Sequence, residues 1–135
     1  MNIIFTDIDG VLNPKLTKVW SPRCINVYNR ICEDFDLHPV ITSTWRIRYN
    51  LSQLQAIFLR QGITAEIYDR TPNLRMDRGL EIYQWLRKND FDRYVVIDDR
   101  VKTILPYVSN VISCDGWIGL TEDHYKKIEA LWLKK

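Results

Sequence analysis

Short apolar runs alternate with amphipathic segments along this chain of 135 residues. The stretch from Asn2 to Thr6 is apolar enough for a strand. Ser21 and Pro22 then supply a cap and a first helical position, and apolar side chains recur at helical spacing until about Phe35. The chain is therefore predicted to begin with a strand, a connecting segment and a helix.

The same alternation continues to the C-terminus. Further strands are predicted at 40–42, 66–68, 94–97 and 108–113. Further helices are predicted from residue 51 to Gly62, over 78–88, and after a cap at Thr121. Because the 94–97 strand has no polar break, it is predicted at the centre of the sheet, covered on both faces. The order predicts an α/β fold, namely one Rossmann-like domain over 1–135 with a doubly wound parallel sheet.

Composition fits this interpretation and narrows it. Hydrophobic residues make up 46% of the chain and charged residues 27%, as in ordinary globular domains. Uncharged runs are far shorter than the roughly 20 apolar residues of a membrane span. The start, MNIIFTDID, lacks a basic leader, so a cytoplasmic protein without membrane contact is expected. The three cysteines have no CxxC spacing and are expected to be reduced core thiols.

Polar clusters follow three of the predicted strands. They read TDIDG at 6–10, TSTWR at 42–46 and DDR at 98–100. The carboxyl ends of parallel strands meet at one edge of a sheet, so the four carboxylates of these clusters are expected to lie close together. They would repel one another without a hard cation between them, and oxygen ligands suit Mg²⁺. Hydroxyl groups in the second cluster suit phosphate oxygens.

Each cluster also has a simpler interpretation. Asp-Gly between apolar residues is a strong hairpin signal, although Asn13-Pro14 ends the second half of such a hairpin after two residues. Asp98-Asp99 alone fits a strand end that caps the next helix, and Thr-Ser-Thr alone fits a turn. The occurrence of all three clusters in order at strand ends favours one shared site.

The ordered set resembles the haloacid-dehalogenase-like phosphohydrolases. The matching segments are IIFTDIDGVL, VIT, an arginine near position 78, and VVIDDR. More narrowly, DIDGVLNP, ITSTWR, RGLEIYQWL, VVIDDR and a late Gly-Leu-Thr look like the phosphatase-like domains of bacterial and phage RNA-repair assemblies. The resemblance spans most of the chain.

The resemblance implies a role for each residue of the motifs. Asp7 would be the nucleophile that forms an aspartyl-phosphate, and Asp9 would protonate the leaving oxygen and then deprotonate water. Mg²⁺ would be held by the Asp7 side chain, the Asp9 carbonyl and Asp99, with Asp98 in support. Thr42 would hold a phosphoryl oxygen.

The basic residue of the motif departs from the family pattern, where it is usually Lys. No Lys occurs between Lys18 and Lys88, so Arg78 takes this role, with Arg75 in reserve. Ser43 and Arg46 complete the predicted phosphate-binding set, and Arg46 is also placed to brace the turn after the second strand.

No interval is long enough for a cap domain, so the site is predicted to be open to bulky substrates. Four presumed edge loops carry nine basic residues: Lys15, Lys18, Arg46, Arg48, Arg70, Arg75, Arg78, Arg100 and Lys102. Only Asp77 opposes them outside the motifs, although the net charge is just +2. This placement favours a phosphorylated nucleic-acid end or a nucleotide phosphate as substrate. RNA and DNA ends, with a 3′ or a 5′ phosphate, fit equally.

Other functions remain open at this point. A small-metabolite or phosphoprotein phosphatase uses the same motifs, and an idle nucleic-acid-binding domain shares the same scaffold. A phosphoacceptor receiver domain would need its adjacent carboxylates after the first strand, whereas here they come late. Trp20 and Trp45 lie in the presumed edge loops, either to pack those loops or to stack on a base.

Overall fold

The computed structural model describes residues 1–134, which form an α/β fold. The strands are β1 (Asn2–Thr6), β2 (Leu37–Ile41), β3 (Asp69–Arg70), β4 (Arg93–Asp98) and β5 (Val111–Ser113). The helices are α1 (Pro22–Asp34), α2 (Trp45–Arg48), α3 (Leu51–Arg60), α4 (Arg78–Lys88) and α5 (Glu122–Leu133). A single 3₁₀ turn spans Val101–Thr103.

All strand pairs are parallel, and the sheet has the order β3-β2-β1-β4-β5. This is the Rossmann-like topology predicted from the sequence. The prediction for the 94–97 strand was wrong in one respect, because β1 lies at the centre and β4 beside it. Both strands are buried in the two faces of the sheet, so an unbroken apolar run does not distinguish the central strand from its neighbour.

Two apolar layers cover the sheet. On one face, α1, α3 and α5 pack through residues such as Tyr28, Phe58 and Ile128. On the other face, α4 and the segment after the 3₁₀ turn pack through Trp85 and Ile104. The helices thus bury the sheet on both faces and leave the carboxyl ends of its strands for a ligand.

Several element boundaries differ from the predictions. β2 starts at Leu37 rather than Val40, because pairing with the whole of β1 extends it through Pro39. β3 is the two-residue strand Asp69–Arg70 rather than 66–68, since only two positions pair with β2. Helix α2 is a single turn, too short for a periodic pattern.

The connections leave the carboxyl edge of the sheet open. From Gly10 to Ser21 the chain forms only turns and one isolated bridge, and from Thr42 to Arg78 it forms α2, α3 and β3. No cap domain is inserted in either interval, as predicted. Among the helices of residues 1–134, none has the length and apolar character needed to span a bilayer.

Candidate active site

Three carboxylates meet at the carboxyl ends of the neighbouring strands β1 and β4. Asp7 follows β1, and its N–H donates to the Ile97 carbonyl across the β1–β4 pair at 3.2 Å. Asp98 is the last residue of β4, and Asp99 follows it. Each of the three aspartates offers a carboxylate oxygen within 4.8 Å of the others. The predicted acidic cluster is therefore formed.

Arg78 supplies the positive charge of this cluster. It is the first residue of α4, and its Nη1 lies 3.2 Å from Asp7 Oδ1 and 2.6 Å from Asp98 Oδ2. Arg75, its predicted alternative, is exposed and lines an adjoining cavity instead. The structure thus places Arg78, and not Arg75, in contact with the carboxylates.

The cluster carries more negative charge than Arg78 neutralises. Burial raises the pKa of Asp7 well above its ordinary value, and the neighbouring Asp98 raises it further. Burial also raises the pKa of Asp98, although Arg78 opposes the shift. Burial alone would raise the pKa of Asp99, but hydrogen bonds to Asp7 and Lys15 outweigh this effect and lower the pKa. A divalent cation would allow all three groups to ionise together, so the donor set fits Mg²⁺.

Sequence reasoning missed two residues that position Asp99. Lys15 Nζ forms an ion pair with Asp99 Oδ2 at 3.1 Å. Gly116 lies so close that a Cβ at this position would be 2.5 Å from the same oxygen. Gly10 also lies close to Asp99 and has φ +83°, a conformation that favours glycine. These contacts join loops that are distant in sequence, and no local motif predicts them.

A small cavity of about 70 Å³ opens over the cluster. Its lining consists of Asp7, Asp9, Lys15, Ser43, Thr44, Arg78, Asp99 and Arg100. Thr42 Oγ1, at the end of β2, is buried and has no hydrogen-bond partner within residues 1–134. A buried hydroxyl without a partner is costly, and a phosphoryl oxygen would satisfy it. Ser43 lines the cavity and Thr42 does not, and phosphate binding by these two residues stays a prediction.

Asp9 lies at the exposed rim of the cavity, held by an unexpected partner. The Trp45 indole N–H donates to both Asp9 oxygens, at 3.2 and 3.1 Å. Trp45 in turn packs edge to face on Trp20, with ring centroids 5.5 Å apart. Both tryptophans thus pack the loops, the simpler of the two predicted roles, and Trp45 also orients the predicted acid–base residue.

Arg46 does not face the cavity as a phosphate ligand. Its guanidinium is buried and donates to four backbone carbonyls, those of Thr42, Ser43, Thr71 and Pro72. It also pairs with the buried Glu81 carboxylate at 2.8 Å. These bonds leave no N–H of the guanidinium free for a substrate phosphate. The prediction that Arg46 binds phosphate directly therefore does not match this placement. Arg46 braces the turn after β2, which was the other predicted role.

The nine basic residues of the edge loops divide into two groups. Lys15, Arg46, Arg70 and Arg78 are engaged by partners within the protein. The other five are exposed, and their side chains form no ion pair or hydrogen bond in the described part of the chain: Lys18, Arg48, Arg75, Arg100 and Lys102. About half of the predicted positive surface is therefore available to a polyanion.

Comparison with known proteins agrees with the geometry. Residues 3–125 match the model of the family described as the HAD domain in Swiss Army Knife RNA repair proteins. No match was found among curated proteins or among solved structures. HAD membership implies a phosphatase-type hydrolase, in keeping with the aspartate cluster. Because the match covers most of the chain, the protein belongs to the family of HAD domains of Swiss Army Knife RNA repair proteins.

Proposed function

We propose that this protein is a Mg²⁺-dependent phosphomonoesterase that removes the terminal phosphate of a nucleic-acid end through an aspartyl-phosphate on Asp7. The observation that carries the proposal is the meeting of Asp7, Asp98 and Asp99 with Arg78 at the carboxyl edge of the sheet. The unpartnered Thr42 hydroxyl at the same edge supports it.

In the proposed reaction, an Asp7 oxygen attacks phosphorus while the bond between phosphorus and the leaving oxygen breaks. Asp9 gives its proton to that leaving oxygen. The ionised Asp9 then takes a proton from a water molecule, whose oxygen attacks phosphorus and breaks the bond to Asp7. Inorganic phosphate leaves, and both aspartates return to their starting states.

The surrounding residues prepare Asp7 for this role. Arg78 contacts the Asp7 carboxylate, which favours its ionised, nucleophilic form, and its positive charge would also stabilise an incoming phosphoryl group. Asp7, Asp99 and the Asp9 carbonyl would hold Mg²⁺, and both oxygens of Asp98 are already engaged by Arg78 and the Arg100 N–H. When bound, the ion neutralises part of the charge that carboxylates and phosphoryl oxygens bring together.

The nucleic-acid end is proposed from three supports. The matching family is described by its occurrence in RNA repair proteins. The open edge admits a polymer end, because neither connection inserts a cap domain. Exposed cations such as Arg75 and Arg100 stand beside the cavity and would attract a polyanion.

The direct test is phosphate release with Mg²⁺ from a panel of oligonucleotides phosphorylated at the 3′ or 5′ end, mononucleotides, sugar phosphates and phosphopeptides. We expect the phosphorylated oligonucleotides to give the highest kcat/KM. A preference for sugar phosphates or phosphopeptides would assign the small-metabolite or phosphoprotein function instead. Oligonucleotide binding without any release would identify an idle binding domain.

Two variants separate the predicted roles around Asp7. Asp9→Asn keeps the backbone carbonyl, so it should retain metal affinity but lose leaving-group protonation and hydrolysis of the intermediate. Asp99→Ala removes a carboxylate ligand, so it should raise the Mg²⁺ concentration needed for half-maximal activity. Wild-type metal affinity in both variants would contradict the ligand assignment.

A further inference from the structure

A groove leads away from the small cavity over the aspartate cluster. A second cavity of about 270 Å³ adjoins it and shares Thr44, Arg78 and Arg100 with it. Beyond lies a third cavity of about 550 Å³, which shares Arg46, Ile47 and Asn73 with the second. The groove therefore runs from the catalytic centre between α2 and the segment 72–77. Its cavities approach or reach the size of ligand pockets, about 300 to 1,000 Å³.

The part of this groove nearest the aspartate cluster is lined by basic side chains without partners in the described chain. Arg75 and Arg100 are exposed, and neither guanidinium has a hydrogen bond or ion pair within residues 1–134. The two acidic residues of the same cavity are both engaged, Asp77 by the Tyr107 hydroxyl at 3.1 Å and Glu81 by Arg46. The nearer groove thus offers two free cations to an anionic ligand.

Apolar side chains complete the lining. Ile47 is 56% exposed and Met76 is 55% exposed, and both line the second cavity. Exposed apolar side chains beside free guanidinium groups suit a ligand unit that has an apolar face next to an anion. A nucleotide has this chemistry, because its base and ribose offer apolar faces and its phosphate is charged.

A different apolar cavity lies elsewhere at the same edge of the sheet. It measures about 380 Å³ and is lined in part by Leu16, Trp117 and Ile118. It shares no lining residue with the small cavity over the aspartates, and Arg23 is its only basic residue. A polymer that extends from the reacting phosphate is therefore better matched by the groove beside α2.

We propose that the groove between α2 and segment 72–77 binds the nucleotide adjoining the terminal phosphate of a polynucleotide. Arg75 and Arg100 contact the next backbone phosphate, and Ile47 and Met76 pack against ribose and base. The proposal rests on the proposed function and adds to it the path of the substrate.

The test compares substrates of increasing length. The kcat/KM is measured for a small aryl phosphate and for end-phosphorylated oligonucleotides of one, two, three and six nucleotides. In the wild type, the gain should come mainly on the addition of the second and third nucleotides and then level off. Arg75→Gln and Arg100→Gln should each lower the ratio of oligonucleotide to aryl-phosphate kcat/KM by up to about fivefold, the loss expected for an exposed ion pair.

Salt dependence supplies an independent signature of the same contacts. For single strands, log affinity falls as log salt rises. Each phosphate contact removed should reduce the magnitude of this slope by about 0.7. Arg60→Gln is the matched control, because Arg60 is an exposed arginine at the end of α3, outside the edge loops, and lines neither groove cavity. Its ratio and salt slope should equal those of the wild type.

The outcomes separate this inference from the proposed function. Aryl-phosphate turnover without any gain from added nucleotides would overturn the groove and leave the phosphatase intact. A length-dependent gain that survives both Arg variants but is lost in Trp117→Ser would place the polymer in the other cavity and also overturn it. If no substrate turns over, fluorescence anisotropy with a labelled phosphorylated trinucleotide still tests the groove. Equal affinity of the wild type and both Arg variants would then refute it.

Discussion

Replacing Gly116 by alanine should weaken metal binding while leaving the fold nearly unchanged. The new Cβ would lie 2.5 Å from Asp99 Oδ2 and 3.3 Å from Asp99 Cβ and Cγ. An ordinary van der Waals contact of a Cβ with another heavy atom lies at 3.4 to 4 Å, so the carboxylate oxygen must retreat by about 1 Å. The atom displaced is the tip of a side chain, and Gly116 does not have a positive φ. The backbone therefore accepts alanine without strain.

A displacement of this size matters because of the ion's geometry. Mg²⁺ requires ligands at about 2.0 to 2.1 Å in a near-ideal octahedron, so a carboxylate displaced by half that distance no longer coordinates it. Changes to residues that orient a metal ligand typically cost about 10- to 100-fold in metal affinity, which is about 1.4 to 2.7 kcal/mol. We expect Gly116→Ala to lose Mg²⁺ affinity within this range. The free energy of unfolding without metal should change by less than about 1 kcal/mol.

The assay combines titration calorimetry with Mg²⁺, Mn²⁺ binding followed by electron paramagnetic resonance, and urea unfolding. The matched control is the double variant Gly116→Ala/Asp99→Ala, which should bind metal no more weakly than Asp99→Ala alone. Additive losses in the double variant would show that Gly116 acts elsewhere than on Asp99. Wild-type metal affinity in Gly116→Ala would refute the ligand role of Asp99.

Three further predictions concern residues that support the site and the fold. Trp45→Phe keeps the aromatic packing but removes the N–H bound to Asp9; it should lower kcat by about three- to tenfold for an alkyl phosphate, and less for an aryl phosphate, whose leaving group needs little protonation. Arg46→Ala leaves the buried Glu81 without its ion-pair partner and four backbone carbonyls without their donor; urea unfolding should show a loss of about 3 to 5 kcal/mol. Burial and Lys127 lower the pKa of His124, whose Nδ1 accepts a backbone N–H at the start of its helix. Because the neutral form is favoured by folding, stability should fall as pH drops below 6.5, the ordinary value, and His124→Gln should lose this part of the pH dependence.

Elements with strong local signals were predicted closely from sequence. The Ser21-Pro22 cap and the apolar spacing behind it predict α1 almost residue for residue, and Arg78–Lys88 was predicted with its observed bounds. β1 was also predicted in full, because its apolar run is bounded by Asp7. These boundaries depend on residues near one another in the chain.

Features that depend on distant contacts were not predicted. The bounds of β3 depend on which two positions pair with Val40 and Ile41, and the local pattern placed the strand too early. The roles of Lys15 and Gly116 arise only where two loops meet over Asp99. Glu81 is a polar residue on the otherwise apolar face of α4. Its position there is the one sequence signal that Arg46 has a buried partner.

In the candidate site too, features set by local signals were predicted and features set by distant contacts were not. The ends of β1 and β4 bring together the aspartates that the motif order predicted, because parallel neighbouring strands end at one edge. The direction of a long side chain is a different matter, since it depends on which acceptors surround it. Arg46 therefore turned inward to backbone carbonyls and Glu81, although its position beside the site had suggested a phosphate ligand.

The central claim is a phosphoryl group carried covalently by Asp7, and capture of that group tests it most directly. Asp9→Asn protein is mixed with Mg²⁺ and an aryl phosphate, whose leaving group needs little protonation, then quenched in acid within the first turnover and analysed by peptide mass spectrometry. Asp7→Asn/Asp9→Asn is the matched control. The account predicts one phosphoryl group on the Asp7 peptide, sensitive to hydroxylamine and absent from the control. Phosphate release by the wild type with no such adduct, or with the adduct on another residue, would contradict it.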